Sequence, residues 1–278
     1  MAQMNGMAGQ AGAAARSAAR EAAPWVERLA RIGYAARGAV YVILGIIAGQ
    51  AALGKRGVTD QRGVFAEILS RPGGKFMLGI VALGLLGYAL WRFVAATMNP
   101  EGDGAGKRAA FAVSAVIHTG LAISAARMAM SSTSGGGGNG ATSLTAKVMD
   151  APGGQWLVAL AGLIIAGFGV QQLIHAWKAE LDKRLDLSRL ESNTRQAAIA
   201  AARAGLAARG VVFVVMGFFL VQAALHRNPG ESRGMDGALE ALHGTAYGPW
   251  VLGLVALGLI GFGVTQFLNA RYRRIQPA

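Results

Sequence analysis

Apolar residues in this chain come in long blocks rather than at amphipathic spacing. Six stretches contain no Lys, Arg, Asp or Glu: residues 38–54, 76–91, 109–126, 151–177, 210–226 and 241–270. Such blocks predict helices that are apolar all round, the pattern of a bilayer span rather than of a surface helix. The shorter blocks only just reach the ~17 residues at the lower edge for crossing a bilayer. Arg and Lys at their flanks have aliphatic stems that reach the interface by snorkelling, so these blocks still qualify. The pattern predicts an all-α, polytopic membrane protein with six transmembrane helices. A soluble helical core is the rival reading, and it would leave too much Leu, Ile, Val and Phe facing water.

The blocks repeat. Residues 33–53 read GYAARGAVYVILGIIAGQAAL and residues 205–225 read GLAARGVVFVVMGFFLVQAAL, while GIVALGLLGYALWRF from Gly79 answers GLVALGLIGFGVTQF from Gly253. A weaker middle copy keeps Pro152-Gly153-Gly154 and Gly167-Phe168 where the first has Pro72-Gly73-Gly74 and Gly87-Tyr88. An N-terminal tail, 1–27, thus precedes three two-span modules at 28–98, 107–180 and 199–273. An even number of spans per module makes the repeats parallel, related by an axis along the membrane normal. A pseudo-threefold six-helix bundle is the simplest closed solution.

The connections carry their own signals. Short amphipathic pieces at 64–69, 144–149 and 237–242 suit helices that lie at the interface or fold back onto the bundle. Residues 131–143, SSTSGGGGNGATS, read as a flexible linker. No Gly-Lys-Ser/Thr follows their glycines, so they do not form a phosphate loop. Residues 177–190 are expected to prolong the fourth span as a charged helix, with Glu180 and Arg184 at i, i+4. Ser192-Asn193-Thr194 then break it, and Asn193 with Gln196 resemble a capping box. Residues 13–31 suit an amphipathic segment with Trp25 at the interface, and 1–12 a disordered end.

Composition agrees with a membrane class: 53% of residues are hydrophobic and 15% charged, where a soluble domain has about 25% charged. Mean hydropathy is +0.40. Residues 1–24 hold no continuous apolar stretch, so no cleavable signal is expected and the first span is its own insertion signal. Without cysteine, disulfides and thiolate sites are excluded. The net charge of +13 gathers at the ends, in Arg16, Arg20, Arg28 and Arg31, and in Arg271, Arg273 and Arg274. The even-numbered connections add Lys107 and Arg108, then Lys178, Lys183, Arg184, Arg189, Arg195 and Arg203. Lys55, Arg56, Arg62, Arg71, Lys75, Lys147, Arg227 and Arg233 make a smaller set on the other side. The positive-inside bias places both termini in the cytoplasm. These charges flank spans without interleaved aromatics, so the expected partners are anionic headgroups and a membrane protein, with no nucleic acid.

The run Gly33-Tyr34-Ala35-Ala36-Arg37-Gly38 with Val40-Tyr41, then Ala-Leu-Gly-Leu and Gly-Tyr with Arg92, resembles the bacterial family called domain of unknown function 1206. Its members carry three tandem two-span modules, and the resemblance covers about residues 28–273. It implies an inner-membrane protein without an assigned activity and lends no catalytic residues. The middle module departs, with Ser114 in the place of the recurring Arg and His118 in that of Tyr41.

Polar residues inside the spans are the candidate sites. Arg37 and Arg209 occupy one place in two modules, about a turn inside their helices, which suits snorkelling to headgroups or an intramembrane function. Arg92, Gln172 and Gln266 share a second place, and Gln50, Gln222 and Arg127 a third, as two layers of interhelical hydrogen-bonding groups or the lining of a pathway. His118 lies near mid-span with no carboxylate at its depth, which suits a neutral imidazole bonded to a neighbouring helix better than a proton relay. The spacing of His175, His226 and His243 suggests no metal site. Recurring glycines at 79, 84, 87 and 253, 258, 261, with Gly45-x-x-x-Gly49, predict close helix packing. Lacking a catalytic constellation or a cofactor motif, the chain reads as a non-enzymatic scaffold or accessory subunit with a dry axis. The alternative is a small channel or transporter for anionic or small polar solutes, with its polar residues facing inward.

Overall fold

The computed structural model describes residues 2–98, 104–131, 140–178, 186 and 190–273, with side chains from Pro24 onward except at Val26, Gly140 and Ala141. Nine α-helices and no β-strand occur among them. Six are long and apolar enough to cross a membrane: α1 (Ala2–Ala52) over Glu27–Ala52, α3 (Gly74–Thr97), α4 (Ala105–Ser131), α6 (Gly154–Trp177), α7 (Ser192–Leu225) and α9 (Gly248–Tyr272). The remaining three, α2 (Gln61–Leu69), α5 (Gly140–Met149) and α8 (Met235–His243), each link the two spans of one module. Below, the terminal face is the end where α1 enters its span and α9 finishes; the loop face carries α2, α5 and α8.

The six spans form a ring in chain order. α1 packs on α3 and α9, α3 on α4, α9 on α7, and α7 on α6. Modules meet through small residues at repeat-equivalent places. Between α1 and α9, a Cβ on Gly38 would lie 3.0 Å from the Gly263 carbonyl oxygen, and one on Gly45 2.8 Å from that of Ala256. Between α6 and α7, Gly169 and Gly162 meet the carbonyls of Gly210 and Gly217 in the same way. The corresponding positions of α3 and α4 are Ala82, Ala89, Ala115 and Ala122, all buried. Any larger side chain there would force the helices apart.

Each of these three seams is tied at the terminal face by an arginine. Arg31 Nη1 donates to the carbonyls of Ala270 and Arg271 at 2.7 and 3.0 Å. Arg108 donates from Nε to Ala96 and from Nη2 to Thr97, at 2.8 and 3.2 Å, and Arg203 Nε to Ala176 at 3.0 Å. Arg31, Arg108 and Arg203 are repeat equivalents, and so are Ala270, Ala96 and Ala176. Each guanidinium meets the unsatisfied carbonyls and negative dipole end of a neighbouring helix, where a cation is favoured.

Within modules the outcome differs. In the first, a Cβ on Gly33 would lie 2.6 Å from the Tyr88 amide nitrogen, and one on Gly84 2.5 Å from the Ala36 Cβ. The third repeats this with Gly205 against Phe262 and Gly258 against Ala208. The middle module has Ala110, Val113 and Ile164 in those places, and α4 and α6 do not pack along each other. The ring is therefore open there. Val113 and Ile164 are 58% and 61% exposed, where Ala36 and Ala208 are buried.

The loop-face half of the ring is filled. Leu44, Ile47, Leu78, Leu85, Val212, Leu252 and Leu259 meet inside it with Val64 and Phe65 of α2 and Leu239 of α8. The α2 and α8 helices thus fold back into the bundle rather than lying flat at the interface. Asp60 caps α2 by accepting from the Gly63 amide at 3.0 Å, and Gln61 of α2 donates to Met235 Sδ of α8 at 3.3 Å. Left-handed Gly73 and Gly153, at φ 73° and 75°, make the turns that lead α2 and α5 into the next span.

Several local expectations are corrected. α1 is helical from Ala2, where a disordered end is expected; the Ala-rich run at 13–23 behind it has high helix propensity. Trp25 is 65% exposed, with Arg28 over its ring at 5.2 Å. Helix α6 stops at Trp177 rather than running on to 190, and Glu180 and Arg184 lie outside the described residues. The α7 helix starts at Ser192 with Glu191 as N-cap and no side-chain cap bond, so Asn193 and Gln196 form no capping box. The expected linker gives way to α5 at Gly140, and residues 132–139 lie outside the described residues.

A buried arginine–aromatic cluster as candidate functional site

One turn of helix separates Arg37 from Tyr41 on α1, and the same spacing separates Arg209 from Phe213 on α7. Because both helices turn this stripe inward, the guanidiniums enter the ring instead of reaching out to headgroups. Arg37 and Arg209 are only 8% and 7% exposed, which corrects the snorkelling expectation. Small residues on the same stripe, Gly38, Gly45, Gly210 and Gly217, draw the neighbouring spans close enough to cover them.

Aromatic rings surround the pair. Arg37 lies over Tyr88, Phe262 and Tyr41 at 4.9, 5.1 and 5.6 Å from the centroids. Arg209 lies over Phe262, Phe213 and Tyr41 at 4.1, 5.0 and 5.6 Å. Both charges share the Phe262 ring, so their separation cannot exceed the sum of its two distances. Tyr88 Oη accepts from Arg37 Nη1 at 2.6 Å and from Arg92 Nε at 2.7 Å. Arg92, half-buried, also lies over Phe111 at 4.8 Å. The Tyr41 and Phe262 rings meet edge-on at 4.7 Å.

His118 joins from α4, its ring 4.6 Å from that of Tyr88. Its Nδ1 lies 2.7 Å from the Ser114 carbonyl, which only accepts, so Nδ1 carries a hydrogen and donates to it. This bond stays within α4 and meets no neighbouring helix, which corrects the expected interhelical bond: a carbonyl one turn back on the same helix lies within reach.

The electrostatics of the pair are unbalanced. Among the described residues no carboxylate pairs with Arg37 or Arg209, and the Nε of each, fully buried, has no acceptor. Removing such a charge from water costs several kcal/mol, and a desolvated cation–π contact returns about 2 kcal/mol. Three ring faces per guanidinium come near balance for one charge. They do nothing about the repulsion between two, which an oxyanion would relieve.

The remaining candidate residues do not converge. Gln172 and Gln266 are buried, and the Gln172 Nε2 has no acceptor. Gln50 accepts from Arg56 of its own module at 3.5 Å, Gln222 is half-buried, and Arg127 is exposed. Of the layer nearer the terminal face only Arg92 thus joins the cluster, and of the layer at the loop face none does. Sequence reasoning missed the aromatics. Their signal was present in Tyr88, Phe168 and Phe262, each one residue after a recurring glycine.

On the loop face, Glu67 accepts from Arg71 at 2.7 Å and from Arg56 at 3.1 Å. Hydrogen bonds from Arg71 and Arg56 hold its carboxyl below the ordinary glutamate value. Burial pushes the Asp236 carboxyl above its ordinary value.

Three two-span repeats arranged as a helical ring that is open at the middle module, with a buried arginine–aromatic cluster inside it, define a multi-pass membrane protein of repeat construction. Residues 32–99, 109–179 and 204–273 each match the family described as Domain of Unknown Function (DUF1206). An uncharacterized protein of Bacillus subtilis (strain 168), YxxB, is 31% identical over 261 residues, covering 92% of this chain and 94% of that protein. No solved structure matches the chain. The chain belongs to the DUF1206 family.

Proposed function

We propose that the protein is a non-enzymatic scaffold or accessory subunit of the bacterial inner membrane, with both termini in the cytoplasm, that docks to and stabilises a membrane-protein partner. The supporting observation is the filled loop-face half of the ring. Leu44, Leu78, Leu85, Leu252 and Leu259, capped by Phe65 and Leu239, offer no polar lining along which a solute or a water file would cross. Among the described residues no carboxylate is buried in the interior, whose polar groups are the arginines, His118, amides and the hydroxyls of Tyr34, Tyr41 and Tyr88. The inward Arg37 and Arg209 favour one element of the rival reading, affinity for anions, but affinity at one end of a plugged ring is not passage.

The test is solute flux. Purified protein in proteoliposomes loaded with halide, phosphate or a small carboxylate should leak at the rate of protein-free vesicles. Flux above that background which falls when Arg37 and Arg209 are both changed to Gln would overturn the scaffold reading in favour of an anion pathway.

A further inference from the structure

The open interface of the middle module leads to the arginines. Val40 and Val212 are 3% and 0% exposed, while their equivalent on α4, Ile117, is 54% exposed. Tyr88 and Phe262 are similarly buried, while Phe168 on α6 is 40% exposed. Apolar side chains that two modules bury against a partner helix are thus uncovered in the third, on both sides of one gap.

The gap ends close to the charges. The Phe168 ring lies 5.6 Å from that of Phe213, over which Arg209 sits, and the His118 ring lies 4.6 Å from that of Tyr88, over which Arg37 sits. On the α6 side one ring, that of Phe213, thus links the exposed Phe168 to Arg209; on the α4 side His118, itself buried beside the exposed Ile117, is linked to Arg37 through the Tyr88 ring. Both arginines are more than nine-tenths buried, neither has a carboxylate partner among the described residues, and each keeps an Nε hydrogen without an acceptor. At the third repeat-equivalent position the small Ser114 replaces a guanidinium on the side of the ring that is open.

We propose that an anionic lipid of the bilayer occupies the gap between α4 and α6. Its acyl chain lies against Ile117, Ile164 and Phe168, and its phosphate or carboxylate oxygens accept from Arg37 and Arg209. A lipid fits better than a partner helix. It brings the missing negative charge, whereas a helix would have to bury a carboxylate at the same depth. The depth is within reach of a headgroup: Arg37 lies six residues beyond Arg31, about 9 Å along the helix from the carbonyls at the terminal face. A lipid also enters sideways from the membrane, the direction in which the ring is open. The site holds with or without the scaffold reading. Bound lipid without flux supports both, and flux without bound lipid overturns both.

Native mass spectrometry of the full chain tests it, after exchange into mild detergent containing equal amounts of phosphatidylglycerol and phosphatidylcholine, with a parallel sample in inorganic phosphate alone. The expected result is one retained phosphatidylglycerol per chain, with occupancy at least ten-fold lower for the Arg37→Gln/Arg209→Gln double variant. Ile117→Trp fills the gap without touching the arginines and should also displace the lipid, which keeps the test decisive if the double variant fails to fold. Equal retention of phosphatidylcholine, unchanged retention in either variant, or binding of inorganic phosphate in place of the lipid would overturn the proposal. So would replacement of the lipid by a co-purifying membrane protein cross-linked at Ile117.

Discussion

Arg31, Arg108 and Arg203 show how a repeat uses one residue type for one task three times over. Each stands six residues or less than two turns before the inward stripe of its helix, and each reaches across a seam to the last carbonyls of the neighbouring span. Charge-assisted bonds at a helix C-terminus are worth about 1–2 kcal/mol when partly buried. Arg31 reaches three carbonyls, including that of Arg273 at 3.4 Å, and pairs with Glu27 at 2.7 Å; its side chain is 33% exposed, which weakens the ion pair more than the carbonyl bonds. Among the described residues Arg108 reaches two carbonyls and Arg203 one. Changing each to Met should therefore lower unfolding stability in detergent in the order Arg31, Arg108, Arg203, by about 1–2 kcal/mol at most. Equal losses, or the reverse order, would show that these ties do not hold the seams. In the sequence the three arginines read only as topology signals, because the carbonyls they cap are far away along the chain.

At the scale of helices, small residues at three repeat-equivalent places decide whether a module closes. Gly84 and Gly258 let α3 and α9 approach Ala36 and Ala208, and Ile164 facing Val113 prevents it in the middle module. Gly258→Ile should wedge α7 from α9 and cost about 1–3 kcal/mol, the usual penalty for overpacking. Conversely, the Val113→Ala/Ile164→Gly pair should draw α4 towards α6. The chain has no native cysteine, so spin labels on single introduced cysteines report each distance directly. An unchanged α7–α9 distance in Gly258→Ile would refute this account of the gap. The glycine trios at 79, 84, 87 and 253, 258, 261 are plain in the sequence, as are the six spans and their pairing into modules; Gly84, Gly87, Gly258 and Gly261 pack tightly as expected, whereas Gly79 and Gly253 meet no close neighbour. The substitution of Ile164 is equally plain as a letter. Its consequence is not, because several helical faces are apolar in a membrane span and periodicity does not say which one meets a neighbour. The same ambiguity led to the snorkelling expectation for Arg37 and Arg209. Their depth follows from the sequence, but their direction follows from the ring.

For the whole molecule, the ring leaves its orientation in the membrane to charge alone. A parallel threefold repeat has chemically distinct ends. The terminal face gathers Arg31, Arg108 and Arg203 by symmetry and adds Arg195, Lys107, Lys178 and Arg271, while the loop face carries its densest positive charge in one connection, from Lys55 to Lys75. Part of that connection is engaged, since Arg56 and Arg71 both bond to Glu67. Glu67, held below its ordinary value by the two guanidiniums, carries its charge at neutral pH. Acidic residues count for little in topology, so this pairing does not erase the positive signal of the connection. What decides is that the bias repeats. Every even-numbered connection and both ends put basic residues at the terminal face, so reversing the molecule would carry all of them across the membrane. The proposed orientation thus places Gly57, exposed on the loop face, outside the cytoplasm. A single Gly57→Cys in this cysteine-free chain should react with a membrane-impermeant maleimide in cells whose inner membrane is intact, while a cysteine at exposed Lys107 should react only after permeabilisation. The opposite pattern would invert the molecule, put Arg37 and Arg209 in the outer leaflet, and require the lipid of the middle module to come from that side.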